Sequence, residues 1–88
     1  MDYFLFTYPN CLRCDALKDY LKGTSLVGQE LSLVQKESKL RLREFLGQVK
    51  RDGKGAIIIP VLILSEDGKV LGVFNDHLEL DAWLKSKV

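Results

Sequence analysis

The first run of the chain, Tyr3-Phe4-Leu5-Phe6-Thr7-Tyr8, is apolar and aromatic without alternation, the pattern of a strand buried on both faces. Pro9-Asn10 stops it. From Cys11 to Lys22 the period becomes helical: Leu12 and Ala16 are four apart, and Leu17, Tyr20 and Leu21 continue one stripe. Gly23 stands where a helix ends, and Lys18 and Lys22 suit the negative end of its dipole. Val27 to Val34 alternates in its second half, as a half-buried strand does. Ser38 is positioned to cap a second helix, in which Leu42, Phe45, Leu46 and Val49 make an i, i+3, i+4, i+7 core stripe. Gly47 would lie inside that helix at a cost of about 1 kcal/mol, and Asp52-Gly53-Lys54-Gly55 would end it.

The stretch Ala56 to Leu64 is the most hydrophobic, broken only by Pro60. Proline cannot donate to a ladder, so the spacing predicts a strand starting at Pro60 or just after it. Asp67-Gly68 between two apolar runs signals a tight hairpin into Lys69–Phe74. Asp76 followed three residues later by Glu79 resembles a capping box, and Leu80, Trp83 and Leu84 form the buried stripe of a closing helix. The predicted order is β-α-β-α-β-β-α. A crossover helix makes the first two strands parallel and the hairpin makes the last two antiparallel. The expected fold class is therefore α/β, a four-stranded mixed sheet flanked by helices, with residues 1–88 as one domain.

Composition fits a packed globule: 47% of the 88 residues are hydrophobic. The formal net charge of +1 gives no global field for nucleic acid or an anionic membrane, so neither is an expected partner. Charge is uneven, however. Residues 36–54 carry seven basic side chains against three acidic ones, which reads as a solvated helix face or as a docking surface for an acidic partner. No segment has the roughly 18 apolar residues that span a bilayer, and the start lacks the basic and small-residue features of a secretory signal. A cytoplasmic location is expected.

Two cysteines are too few for a disulfide scaffold, and in a reducing compartment a close pair points to redox or metal chemistry. Cys11-Leu12-Arg13-Cys14 follows the first strand and opens the first helix. There the free backbone N–H groups and the dipole favour thiolate over thiol, and Arg13 adds positive charge. Two intervening residues in a helical turn allow a disulfide. Cys11, in the first turn, is the expected exposed nucleophile; Cys14, in line with Leu17 and Leu21, is the expected shielded resolving thiol. Tetrahedral zinc needs about four ligands, and only His77 could join the two thiols, so no metal site is expected. His77 is expected to be solvated in the first turn of the last helix.

Taken together, the strand, the C-x-x-C at a helix start, an apolar residue and proline before the third strand, and a glycine-containing turn into the last helix resemble the glutaredoxin family of the thioredoxin-like fold. The resemblance covers the whole chain. It implies a thiol–disulfide oxidoreductase, acting on protein disulfides or glutathione mixed disulfides, with a reductase as electron donor and no tightly bound cofactor. It also implies a cis Ile59–Pro60 bond facing the dithiol, with the peptide before Pro60 binding substrate backbone. Tyr8, Arg13, Ile59, Pro60, Asn75 and Asp76 are the substrate-binding candidates. Tyr8 stands where the family usually has a basic residue, and Val73 where it has a glycine, so glutathione as co-substrate is left open. The alternatives are a glutathione-assisted [2Fe–2S] carrier and a non-catalytic interaction module; a monomer is expected.

Overall fold

A computed structural model of the chain describes residues 1–86. Among them the elements run β1 (Asp2–Thr7), α1 (Leu12–Lys22), β2 (Val27–Ser32), α2 (Lys36–Arg43), β3 (Val61–Glu66), β4 (Lys69–Phe74) and α3 (His77–Ser86). The sheet order is β2-β1-β3-β4. β1 pairs parallel with β2 and antiparallel with β3, and β3 pairs antiparallel with β4. This is a small α/β fold on a mixed sheet, with the element order and strand directions that the hydrophobic pattern predicts.

Alternate residues of the central strands feed two cores, as the two-residue period requires. Leu5, Leu62 and Leu64 point to one face, where Leu17 and Leu21 of α1 and Leu80 of α3 cover them. Phe6, Val61 and Ile63 point to the other, under Leu33 and Leu42, with Phe45, Val49 and Ile57 packed around them. Trp83 of α3 meets Phe74 edge-on at 5.9 Å, extending the first core. The β3–β4 connection is tight because Asp67 (φ 52°) and Gly68 (φ 78°) both take the left-handed conformation, as a two-residue hairpin turn matching the sheet twist demands.

Three local expectations are corrected. Ser38 does not cap α2; it lies within the helix and is buried, four residues before the core residue Leu42, while Gln35 occupies the N-cap without a side-chain bond. The second helix is also shorter than its stripe suggests. It ends at Arg43, where Glu44 and Phe45 N–H groups donate to Arg41 and Leu42 carbonyls three residues back, tightening the last turn. Phe45 and Val49 still pack on the sheet, from turns rather than a helix; Leu46 is exposed and Gly47 has open space around it. Finally, Leu12 is not part of the α1 stripe. Cys14, Leu17 and Leu21 make the buried face, and a residue two positions before Cys14 sits about 200° around the helix from it.

The register gathers the candidate residues at one end of the strands. Phe6 pairs with Val61, and Leu62 pairs with Phe74. The exit of β1, the entry to β3 and the exit of β4 therefore share that end, which brings the Cys11 loop, Ile59–Pro60 and Asn75–Asp76 to the same end of the molecule.

Candidate active site

Cys11 is the N-cap of α1, with extended backbone (φ −112°, ψ 108°), and its sulfur accepts the N–H of Cys14 at 3.1 Å. The backbone carbonyl of Cys11 accepts the N–H of Asp15 at 3.1 Å, so the residue is tied into the first turn at both ends. Capping is commonly done by a short oxygen side chain; here the cysteine sulfur takes the position, at the positive end of the helix. Cys11 and Cys14 form a disulfide with a Cα–Cα separation of 5.2 Å, inside the range that such bonds span without backbone movement. The two sulfur-bearing residues differ in access: Cys11 is half-buried, whereas Cys14 is 1% exposed, on the buried face of α1.

Leu12, between the cysteines, is 86% exposed, and Arg13 is exposed beside it. Leu12 is therefore not a core element. Tyr8 is 45% exposed. With Ile57, Ile59, Leu33, Leu42 and Arg51 it lines an open groove of about 430 Å³. Ile59–Pro60 is a cis peptide, Ile59 half-buried and Pro60 buried.

Asn75 and Asp76 do different work from one another. Asp76 caps α3: its Oδ1 accepts the Glu79 N–H at 2.8 Å. Glu79 replies through Oε1, which accepts the N–H of Asn75 at 2.7 Å, one residue earlier than in the usual reciprocal box. Asn75 is buried and turned inward. Its Nδ2 donates to the carbonyls of Ile58 and Pro60, both at 2.9 Å, clamping the backbone on either side of Ile59. Its Oδ1 is buried with no partner. The side chain thus holds the loop before β3 in place, and its polar groups are buried rather than offered to a ligand. Lys50 reaches across to Glu79 at 2.6 Å, closing a chain from the 50–58 segment through α3 to the clamp. The Lys50 ion pair, helped by the Asn75 and Asp76 backbone bonds against the opposing effect of burial, holds the Glu79 carboxyl below the usual range.

The sequence did not single out Arg51, Asn75 as a clamp, or Glu79 as a bridge. Arg51 sits in a small hairpin, bridged to Ile57, with one guanidinium nitrogen donating to the Gly55 carbonyl at 2.9 Å. These are pairings across a loop, and no local period announces them. His77 begins α3 half-buried, its ring 6.1 Å from that of Tyr20. Among the described residues no group of three or more His, Cys, Asp or Glu comes together as a metal site. No helix among them is long and apolar enough to cross a membrane.

No family model matches the chain, and no curated protein matches it in sequence. A solved structure described as "Structure of a malarial protein" is similar over 97% of this chain and 93% of its own, with a TM-score of 0.62 and 18% identity. The likeness is one of fold. At that identity it says nothing about chemistry, which rests on the residues of this chain.

Proposed function

We propose that the chain is a glutaredoxin-like thiol–disulfide oxidoreductase on a thioredoxin-like fold, with Cys11 as nucleophile and Cys14 as resolving thiol. The observation that carries the reading is the Cys14 N–H on the Cys11 sulfur at the N-cap of α1. A donor aimed at the sulfur and a helix dipole behind it both stabilise the thiolate. The accessibility difference supplies the division of labour, since an incoming disulfide can reach Cys11 and not Cys14.

In the reduced protein the Cys11 thiolate attacks one sulfur of a substrate disulfide. A Cys11–substrate bond forms, the substrate S–S bond breaks, and the departing thiolate takes a proton. Cys14 loses its proton and attacks the Cys11 sulfur, releasing the second substrate thiol and leaving the Cys11–Cys14 disulfide. Two electrons pass from the protein dithiol to the substrate. The disulfide returns to the dithiol at the expense of an external thiol donor, either glutathione or a thioredoxin-type reductase. Leu12, Arg13 and Tyr8, all exposed and within three residues of Cys11 in the chain, are the candidate substrate contacts together with Ile59. A reducing compartment such as the cytoplasm suits this cycle.

The test is turnover of a small disulfide coupled to glutathione reductase or to thioredoxin reductase. Cys11→Ser should abolish turnover, and Cys14→Ser should accumulate a mixed disulfide on Cys11, detected by intact mass. Wild-type turnover in the Cys11→Ser protein refutes the assignment.

A further inference from the structure

The basic segment 36–54 does not neutralise itself. Arg41 pairs with Glu44 at 3.6 Å and Lys50 with Glu79 at 2.6 Å. Among the described residues, Lys39, Arg43 and Lys54 have no carboxylate within ion-pair distance, and all three are exposed. Asp52, the acidic residue nearest to Lys54 in the chain, has Oδ1 taken up by the N–H groups of Lys54 and Ala56 at 2.8 and 3.0 Å.

This charge borders the groove lined by Tyr8 and Ile59, at the end of the strands from which the Cys11 loop leaves. Leu42 is in the groove wall, and Lys39, three residues earlier, is its exposed neighbour on α2. Lys54 adjoins Gly55, also in the wall. Arg51 lines the groove itself. One of its nitrogens is anchored on the Gly55 carbonyl, which fixes the guanidinium while leaving other N–H donors of the planar fork to meet a carboxylate. The rest of the lining is apolar: Tyr8, Leu33, Ile57 and Ile59. The combination is an apolar trough with a pre-placed cation in its wall and two further cations close in the chain to wall residues.

We propose that this groove seats an extended, acidic segment of a protein substrate next to its target cysteine, an apolar side chain resting on Tyr8 and Ile59 and a carboxylate meeting Arg51. This rests on the dithiol reading and narrows its substrate class to protein disulfides with acidic flanks. Complementary charge of this kind selects partners and speeds encounter.

The test reads the groove without exchange chemistry. Two fluorescent peptides, each with leucine beside a serine in place of cysteine and flanked by either glutamates or lysines, are titrated by anisotropy onto the oxidised protein. The acidic peptide should bind about tenfold tighter at about 0.05 M salt, and the gap should shrink at about 0.5 M. Arg51→Glu should abolish the preference. If loss of the Gly55 contact prevents folding, the double variant Lys39→Glu/Lys54→Glu should reduce the preference severalfold. Equal affinities, or a preference that survives these variants, overturn the proposal. A failure of the dithiol reading appears separately, as absent turnover in the coupled assay.

Discussion

Removing the Asn75 amide should cost more stability than its single side chain suggests, because it serves two backbone carbonyls at once. In the native protein Nδ2 donates to Ile58 and Pro60 at 2.9 Å each. Asn75→Ala removes both bonds, each contributing about 1 kcal/mol net, and leaves the Pro60 acceptor in a buried setting without a donor. Some of that loss is offset, since Oδ1 is already buried without a partner and its desolvation cost disappears with it. The expected result is a loss of about 2 kcal/mol, moving the urea midpoint down by roughly 1–2 M. Asn75→Asp sharpens the test. An ionised carboxylate would face the same two carbonyl oxygens as an acceptor without a donor, so it should be less stable than Asn75→Ala at neutral pH. Protonation relieves this by restoring one O–H donor. The folded-state pKa of the introduced aspartate is therefore raised, and its penalty should grow as pH rises from about 4. Urea titrations of the three proteins at acid and neutral pH decide it. An Asn75→Ala protein within 0.5 kcal/mol of wild type, or an Asn75→Asp protein as stable as wild type at neutral pH, refutes the clamp.

Other positions give independent checks. Gly28 faces Tyr3 across the parallel β1–β2 pair, where an added Cβ would collide with the Tyr3 carbonyl and ring. Gly28→Ala should therefore cost about 1–3 kcal/mol in thermal or urea unfolding, whereas Gly47→Ala, with open space, should not. The depressed Glu79 pKa contributes stability that is fully present above the ordinary glutamate range and lost as pH falls through the lower folded value. Glu79→Gln should accordingly flatten the acid limb of a stability–pH profile. Leu12→Ser should leave stability within about 0.5 kcal/mol, as its exposure implies, while Leu17→Ala should cost about 2–5 kcal/mol by opening the first core.

Three of the four strands were readable from short-range signals, and the direction of β2 from its crossover helix. The aromatic run at 3–8, the Asp67-Gly68 turn and Pro60 ahead of the apolar stretch each fix a boundary by backbone chemistry. Helix positions were less secure. Leu42, Phe45 and Val49 obey a helical period and do reach the core, but the period reports which residues are buried, not whether a continuous helix carries them there. Ser38 failed as a cap because Gln35 begins the helix earlier and burial, not capping, is what Ser38 serves. At the site, the C-x-x-C placement at the start of α1 was legible. The division between Asn75 and Asp76 was not, since both are good capping residues and only the three-dimensional path of the 56–60 loop gives Asn75 its second task. Arg51 was hidden for the same reason: its place beside Tyr8 and Ile59 depends on a hairpin whose pairing is non-local.

The central claim is that the start of α1 makes the Cys11 sulfur ionise early and leaves it accessible. Alkylation of the reduced protein by iodoacetamide across pH, with the modified cysteine located by peptide mass, measures both properties together. The account predicts that Cys11 is labelled first, and at lower pH than free cysteine. Labelling of Cys14 first, or a Cys11 profile indistinguishable from that of free cysteine, would contradict it.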